Sequence, residues 1–564
     1  MKMVSLIVII SILILSAGYR FYGRYLSKQM GLDDSRQTPA CRINDGVDFV
    51  PAKPSLLLGQ HFSAIAAAGP IVGPILAGIW FGWLPALLWI ILGSIFIGGV
   101  HDFTSLTASI RHKASSIGEI VKEHMSRTSY ILFLLFIWLA LIYVIIAFTD
   151  ITAQTFKTVS ADMAYGPGVA ASSMLYLLLG LIMGILLYKL RVRLSLATAI
   201  FLPMVFFVIW LGPRLPQTLI SFLSGITVKE WDAVLLLYCF IASLIPVWLL
   251  LQPRGYLGGW LLYMTIITGL IGALFGGFSI EYPAVNTDGL KSLANGKLIF
   301  PVLFITVACG ACSGFHGIVS SGTTSKQLMK ESDARIIGYG GMLLEGLVAV
   351  LALATLMMIP KGSQNLTTDP NLIYANGLAG YLGLVGISYN VAYPFALLAF
   401  STFVYDTLDV TTRLARYILQ ELAGWKTKAG GFFAALITLL IPFAFLMLTG
   451  EKGYLTAWPI FGTSNQMLAS LILLSISVWL IRSGKNAMYA IIPMIFMMTM
   501  TLWSLMLLMQ PFMRSLSDAS ILAARPDAII SGVFGVILFA LSLMLVLEAV
   551  RTLMLRPAGN GAAK

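Results

Sequence analysis

Apolar runs long enough to cross a lipid bilayer follow one another along the chain. The first covers about Val4 to Gly18, and the others lie at 61–80, 85–107, 130–150, 171–189, 195–212, 232–251, 258–280, 299–321, 337–359, 384–405, 431–449, 457–481, 487–510 and 528–555. Since one spanning helix needs about 20 apolar residues, this pattern predicts an all-α integral membrane protein with about fifteen transmembrane helices. Hydrophobic residues make up 58% of the 564 residues and charged residues 11%, which leaves too few charges to solvate a soluble fold.

The charges between the runs predict the orientation of the chain. Arg20, Arg24 and Lys28 follow the first run, where a signal peptide would have its basic residues in front, and no A-x-A cleavage site closes the run. This favours a retained first helix over a signal peptide. If the segment after it is cytoplasmic, the inside loops hold about 26 of the 36 Lys and Arg residues, as the positive-inside rule expects. The N-terminus is then outside, and the C-terminus, from Arg551 to Lys564, is cytoplasmic.

Loop lengths and motifs limit what the chain does alone. No loop is long enough for a globular domain, so we divide the chain into a first helix and cytoplasmic loop (1–60), a core of membrane helices (61–481) and C-terminal helices (482–564). No GxxxxGK[ST] motif occurs, which excludes an ATP-driven pump within this sequence. The net charge of +12 is spread over the loops, which does not favour a nucleic-acid partner.

The cysteines and histidines give no strong sign of a metal or cofactor. Cys239 and Cys309 fall deep inside apolar runs, and the pair formed by Cys309 and Cys312 is a single CxxC, which is a weak metal signal without further ligands. His112 and His124 lie in a basic loop predicted to be cytoplasmic, without HExxH spacing. We therefore predict no metal, no cofactor and no catalytic residue.

The second apolar run does not read as an ordinary spanning helix. It contains the steps Gly69-Pro70 and Gly73-Pro74, four residues apart. Proline removes a backbone donor and clashes with the preceding turn, while glycine adds conformational freedom. A helix broken at membrane depth needs protein or a polar cavity around its bare backbone groups. The steps therefore indicate an unwound binding segment, and the alternative is a simple kink.

A second unusual segment covers Ala308–Thr324. It combines four glycines with serine and threonine hydroxyls and with His316. Such a segment offers freed backbone groups and polar side chains to a ligand, although close packing of helices through small residues would explain the same composition. We assign substrate binding to its first part and ion binding to its last part, namely Ser313, Gly314, Phe315 and His316, then Ser320, Ser321, Thr323 and Thr324.

The two segments belong to the second and ninth predicted helices. An odd separation of seven gives them opposite directions in the membrane. Two interrupted helices of opposite direction are typical of an inverted-repeat transporter with its substrate between them. The positive N-terminal ends of the half-helices would bind a carboxylate of the substrate.

Ionisable and amide side chains at membrane depth complete the candidate set. Charged groups are costly in hydrocarbon and usually face a cavity or a partner. Asp406 and Asp409 are predicted at the inner end of the eleventh helix, where pairing with Arg413 or Arg416 would make a gate or an interfacial ion pair. His316 and Glu345 are the candidates for carrying a proton, and packing or structural roles are the alternatives. The coupling or gating candidates also include His101, Asp102, Thr411, Thr412, Asn465 and Gln466.

Five motifs occur in order along the chain: GQHFSAIAAAGPIVGPILAG, FIGGVHDF, GACSGFHGIVSSGTTSKQL, DTLDVTTRLARY and WPIFGTSNQMLA. Together they resemble the carbon starvation protein A (CstA) family. The resemblance implies a secondary transporter of the bacterial inner membrane that takes up peptides during carbon starvation, with close relatives that import pyruvate with protons. It also implies a LeuT-like fold of the APC superfamily.

Several alternatives remain open from the sequence. Peptide and pyruvate both carry a carboxylate, so the physics does not separate them. The coupling ion is H⁺ or Na⁺, and a sodium-coupled symporter of another small carboxylate or an amino acid is the nearest rival. A membrane-embedded sensor or enzyme is the rival of another class. The sequence does not indicate an oligomeric state.

Overall fold

The computed structural model describes residues 3–45, 49–158, 165–246, 248–286, 299–363, 366–367, 369–450, 453–515 and 526–555. The regular secondary structure of the described residues is helical, apart from two isolated β-bridges between single residue pairs. The helices of the N-terminal half are α1 (Val4–Ala17), α2 (Gly23–Met30), α3 (Pro39–Ile43), α4 (Pro54–Ile65), α5 (Gly69–Phe81), α6 (Trp83–Gly93), α7 (Gly99–Arg111), α8 (Ile117–His124), α9 (Arg127–Phe156), α10 (Tyr165–Tyr188), α11 (Leu194–Leu211), α12 (Gln217–Gly225), α13 (Val228–Leu244) and α14 (Leu251–Phe275).

The C-terminal half continues the same all-helical pattern. Its helices are α15 (Ile299–Thr306), α16 (Gly314–Gly322), α17 (Gly340–Met357), α18 (Pro370–Gly383), α19 (Tyr389–Ala423), α20 (Lys428–Leu448), α21 (Gly453–Arg482), α22 (Met488–Ser515) and α23 (Pro526–Leu555). The predicted cytoplasmic end, Arg551–Lys564, is described only as far as Leu555.

Twelve helices in the described ranges are long and apolar enough to cross a membrane, or up to thirteen if α4 and α5 count as one bent span. The chain is therefore an all-α, multi-pass membrane protein. The predicted count of fifteen is not confirmed. The two remaining predicted spans correspond to α13, which has only 17 residues, and to α15 and α16, which are two short helices separated by non-helical backbone.

Both predicted interruptions are present in the backbone. The first lies at 66–68, just before the Gly-Pro steps, where α4 and α5 meet at an angle of 45°. Pro70 opens α5, because a proline is tolerated in the first turn of a helix but excludes a helical turn before it. Pro74 lies within α5 without ending it. The second interruption covers 307–313, between α15 and α16.

Among the described residues, three π-helical turns lengthen helices: Gly18–Tyr22 joins α1 to α2, Ser94–Gly98 joins α6 to α7, and Arg335–Tyr339 leads into α17. A π-turn adds one residue to a helix and leaves a backbone carbonyl without its usual partner. The Tyr339 hydroxyl donates to the carbonyl of Ile95 over 3.1 Å. A side chain of the third π-turn therefore supplies a hydrogen bond to a backbone carbonyl of the second. The first unit consequently continues to Met30, well past the predicted end at Gly18.

The eleventh predicted span is also longer than expected. α19 has 35 residues, so Asp406 and Asp409 lie in the middle of a helix and not at its inner end. Nearly all side chains of residues 392–416 in α19 are buried, whereas α1 and α11 expose many large apolar side chains. We infer that α19 is a central helix, and that the exposed apolar side chains of the outer helices face lipid.

Candidate functional site

Four titratable side chains from three helices form a buried group that we call the histidine cluster: His101, Asp102, His316 and Glu345. Asp102 links the two histidines, because its Oδ1 lies 2.7 Å from Nδ1 of His101 and its Oδ2 lies 2.8 Å from Nδ1 of His316. His316 Nε2 lies 3.1 Å from Oε2 of Glu345. All four side chains have no exposed surface.

The order of contacts constrains where protons lie in the histidine cluster. An ionised carboxylate only accepts hydrogen bonds, so Nδ1 of His316 carries a hydrogen and donates it to Asp102. In a neutral ring, Nε2 then presents a lone pair to Glu345. Two lone pairs repel at 3.1 Å, so the contact is favourable only when a proton is held by His316 or by Glu345. Among the described residues, neither His316 Nε2 nor the Glu345 carboxylate has a hydrogen-bond partner, so the two groups are close without forming a hydrogen bond.

The first interruption lies beside the histidine cluster. His61, on α4, contacts the hydroxyl of Thr324 through Nδ1 over 2.9 Å. A Cβ built on Gly73 would come within 2.5 Å of the Thr306 carbonyl oxygen, and one on Gly69 within 2.4 Å of Cys309 Sγ. The two interrupted helices therefore touch each other directly, and only glycine fits at these crossings.

The bare backbone of the second interruption is satisfied by side chains from two helices. Asn465, on α21, accepts a hydrogen bond from the Phe315 backbone N–H at 3.0 Å and donates to the Ser313 hydroxyl at 3.0 Å. Gln466 donates to the Val307 carbonyl at 3.2 Å, and Trp89 donates to the same oxygen at 3.3 Å. Asn465 thus occupies the N-terminal end of α16, where the sequence predicts a carboxylate of the substrate.

The hydroxyls assigned to an ion lie at the other end of α16. Ser321 and Thr323 donate to carbonyls of their own helix, those of Gly317 and Val319. The buried hydroxyl of Ser320 has no hydrogen-bond partner among the described residues. These oxygens keep lone pairs that a cation accepts, but their contacts alone do not define a cation site.

A second buried group surrounds Arg254, and we call it the arginine cluster: Arg254, Tyr238, Asp406 and Asp409. The Arg254 guanidinium donates to Oδ1 of Asp406 from Nε at 2.9 Å and from Nη2 at 2.7 Å. Its Nη1 donates to Asp409 and to the Tyr238 hydroxyl at 2.5 Å. Tyr238 in turn donates to Asp409 at 2.8 Å. Arg254 is 1% exposed, so this is a fully desolvated ion-pair network.

The predicted partners of the α19 carboxylates lie elsewhere. Arg413 donates from Nη2 to the carbonyls of Ala242 and Ile245, both at 2.7 Å, and so caps the C-terminal end of α13. Arg416 lies over the ring of Tyr417. Asp409 and Arg413 are four residues apart and could pair on one helix face, but Arg254 from α14 contacts both carboxylates instead. Thr411 and Thr412 are buried on the same helix.

Sequence reasoning missed Arg254, Tyr238 and His61. Arg254 lies between two apolar runs, where an arginine has the same appearance as a topology signal. His61 lies within the first interrupted segment but has no neighbouring polar residue at helical spacing that would mark it. The only signal for Arg254 is indirect, since two aspartates predicted close to the membrane interior require a cation.

A multi-pass helical membrane protein with a buried titratable cluster beside two interrupted helices is typical of ion-coupled transporters. Comparison with known families agrees with this class. A sequence model described as "Carbon starvation protein CstA" matches residues 3–373 and 363–504. The chain belongs to the CstA family.

Curated relatives cover most of the chain. A peptide transporter CstA of Helicobacter pylori is 34% identical over 88% of this chain and 81% of its own length. The peptide transporter CstA of Escherichia coli is 33% identical over 88% and 80%. The pyruvate/proton symporter BtsT of Escherichia coli is 31% identical over 88% and 81%.

Among solved structures, a mutant manganese transporter of Eremococcus coleocola aligns with 90% of this chain and 99% of its own. Its sequence identity is 13% and the TM-score is 0.41. A likeness of this size does not test the LeuT-like fold, which stays a prediction.

Proposed function

We propose that this protein is a secondary active transporter of the bacterial inner membrane that takes up peptides or pyruvate together with protons. Family membership supports transport over catalysis or sensing, since the relatives are named as transporters. The name of one relative includes both pyruvate and the proton. We place the transporter core at 61–481 and propose that its two interrupted helices are corresponding helices of the two halves of a LeuT-like inverted repeat.

The contact between His316 and Glu345 is the observation that carries proton coupling. Their facing atoms make a favourable contact only when His316 or Glu345 is protonated, and Asp102 fixes the orientation of the imidazole. A histidine exchanges a proton near neutral pH without large rearrangement. Gain or loss of that proton changes the charge of a site with no exposed surface, which gives the two conformations of a transport cycle different energies.

The substrate is proposed to bind between the two interruptions. In the present arrangement these segments touch at Gly69 and Gly73, so binding requires them to separate. The amide oxygen of Asn465 at the N-terminus of α16 is a neutral counterpart of a carboxylate oxygen. We propose that a substrate carboxylate replaces it when the segments open. The assigned substrate-binding residues are Gly69, Pro70, Gly73, Pro74, Ser313, Gly314, Phe315 and His316.

Sodium coupling is the second candidate. The observation that favours it is the row of hydroxyls at the end of α16, including the unpartnered hydroxyl of Ser320. Oxygen ligands of this kind suit a hard cation. Proton coupling is preferred because the contact between His316 and Glu345 is favourable only with a dissociable proton present, whereas the hydroxyls alone do not define a cation site.

Uptake into liposomes tests both candidates. The purified chain is reconstituted, and accumulation of radiolabelled pyruvate or a dipeptide is followed under an imposed pH gradient, an imposed Na⁺ gradient, or neither. We expect uphill accumulation with the pH gradient alone, and its collapse with a protonophore. Accumulation driven by Na⁺ at constant pH would refute proton coupling, and no uptake of either substrate class would refute the substrate assignment.

The orientation of the termini is part of the proposal. The excess of Lys and Arg in the predicted inside loops places the N-terminus outside and the C-terminus in the cytoplasm. A reporter enzyme that works only in the cytoplasm is expected to be active when it is fused after residue 564, and one that works only in the periplasm is expected to be inactive there. Activity of a periplasmic reporter at that position would show that the number of spans is even.

A further inference from the structure

A group of potential metal ligands lies outside the membrane-spanning helices and apart from both buried clusters. Its members are His112, Glu123 and His124, at the junction of α7 and α8. One ligand atom from each lies within 4.8 Å of the other two. The Nε2 atoms of the two histidines face each other at 2.7 Å.

The backbone between the two helices brings these side chains together. His112 follows the last residue of α7, and His124 is the last residue of α8. Lys113 and Ala114 both have positive φ, at 58° and 57°, a conformation that is unfavourable for non-glycine residues. This left-handed turn directs α8 back toward the end of α7, and the Ala114 N–H donates to the Ser109 carbonyl at 2.8 Å.

The His112 imidazole is held in an orientation suited to a metal ligand, and the backbone of His124 is fixed beside it. His112 Nδ1 lies 2.7 Å from the Ala108 carbonyl, so this nitrogen carries the hydrogen and Nε2 keeps its lone pair toward His124. The ring of Trp479 packs edge-on against His112 at 5.2 Å between centroids. Arg482 donates to the His124 backbone carbonyl, which fixes the end of α8 without using the imidazole.

We propose that His112, Glu123 and His124 bind a divalent transition-metal ion of the Zn²⁺ type. Two imidazoles and a carboxylate match the donor set that such ions prefer, with water completing four-coordinate geometry. Two nitrogens on one tetrahedral zinc lie roughly 3.3 Å apart, so the present 2.7 Å separation must widen by about 0.6 Å. Small rotations of two half-exposed side chains provide that. HExxH and CxxC patterns miss this site, because a turn and not one helix supplies the spacing.

The bound ion would join the ends of α7 and α8 beneath α21. Since α7 also carries His101 and Asp102, the ion would limit movement of the helix that bears part of the histidine cluster. The site itself takes no part in the proposed transport chemistry, so it is tested without reference to substrate.

Direct metal binding tests the proposal. The full chain is purified without a histidine tag, stripped with a chelator, and titrated with Zn²⁺ alone against a chromophoric competitor, with bound metal counted by mass spectrometry. His112→Ala, Glu123→Gln and His124→Ala are compared with Glu119→Gln, an exposed carboxylate on the same short helix. Loss of even an outer-shell group typically weakens metal binding about 10–100-fold. We therefore expect one Zn²⁺ per chain in the wild type and the control, and at least ~10-fold weaker binding in both histidine variants.

Cobalt provides a second readout, which distinguishes loss of the site from unfolding of the histidine variants. Co²⁺ bound by two imidazoles and a carboxylate in tetrahedral geometry gives strong visible absorption, which the histidine variants should lack while they elute as the wild type does on gel filtration. Equal Zn²⁺ binding by wild type and all variants, or binding no tighter than that of free buffer components, would overturn the proposal. The imidazole pair would then be an ordinary hydrogen bond.

Discussion

The histidine cluster and the arginine cluster are both buried in the helical core, but they hold charge in different ways. In the arginine cluster, a guanidinium that stays charged in proteins is matched to two carboxylates and a tyrosine hydroxyl. In the histidine cluster, two imidazoles face two carboxylates, and the charge of an imidazole depends on whether it holds a second proton. One network has a fixed charge, whereas the charge of the other depends on its protons.

This difference separates structural from coupling roles. Removing one partner from a fixed ion-pair network leaves a buried charge uncompensated, which is strongly destabilising. Removing a titratable partner changes which charge states are accessible. The arginine cluster should therefore respond to mutation mainly through stability, and the histidine cluster mainly through the dependence of transport on pH.

The largest expected effect comes from Arg254→Met. Two carboxylates on α19 lose their cation, and breaking a buried pair in this way typically costs about 3–5 kcal/mol. We expect the variant to be poorly expressed and to unfold at markedly lower temperature in detergent. Combining it with Asp406→Asn and Asp409→Asn should restore much of the stability, because no uncompensated charge remains. A stable single variant would contradict the fixed-charge interpretation.

Glu345→Gln sharpens the contrast at the histidine cluster. A glutamine amide still contacts His316 but cannot carry the shared proton, so accumulation driven by a pH gradient should fall to the equilibrium level. Exchange of labelled for unlabelled substrate across the membrane should persist. His316→Gln should act in the same way, whereas Asp409→Asn in the arginine cluster should impair both activities. Full pH-driven accumulation by both histidine-cluster variants would remove them as proton carriers.

Gly73→Ala tests the crossing of the interrupted helices next to the histidine cluster. The new Cβ would lie 2.5 Å from the Thr306 carbonyl oxygen, and overpacking of this kind typically costs about 1–3 kcal/mol. We expect lower stability and slower uptake together, since the contact is with backbone. Gly322→Ala is a matched control, because its Cβ meets nothing within 4 Å. Equal behaviour of the two variants would show that the crossing is looser than described.

Tyr238→Phe should have the smallest effect. It removes a hydroxyl that bridges Arg254 and Asp409, while the ion pair between them stays. Hydrogen bonds to charged groups contribute about 1.5–3 kcal/mol, and the low end applies here because both partners keep other contacts. Thermal unfolding should shift slightly, with unchanged coupling in the uptake assay. A change in the pH dependence of uptake would mean that the arginine cluster also takes part in coupling.

The sequence was sufficient for the interruptions and for most of the histidine cluster. Gly-Pro steps and a glycine-serine segment have local physical consequences, so they indicate breaks without knowledge of the fold. Asp102, His316 and Glu345 stand out because ionisable side chains are rare within membrane-spanning segments. That Asp102 joins the other two is a matter of tertiary packing, because the contact between His316 and Asp102 spans 214 residues.

The arginine cluster could not be predicted in the same way. Arg254 contacts aspartates that are 152 and 155 residues away, and it follows an apolar run as any loop arginine does. The sequence instead suggested Arg413, which is near in sequence but caps α13. The predicted length of the eleventh span was wrong for a related reason. Charges neutralised by distant partners allow α19 to continue where composition predicts an end.

The π-turn at Ser94–Gly98 has a consequence for insertions and deletions. Leu88 and Leu92 before the turn and Phe96 within it are exposed, whereas the residues from Ile97 to Ile110 are all buried. One residue of an α-helix corresponds to a rotation of about 100°. Deleting the extra residue of the π-turn would therefore rotate Asp102 away from His316, although the remaining residues keep their order. A single-codon deletion here is thus expected to be more harmful than most substitutions in the same segment.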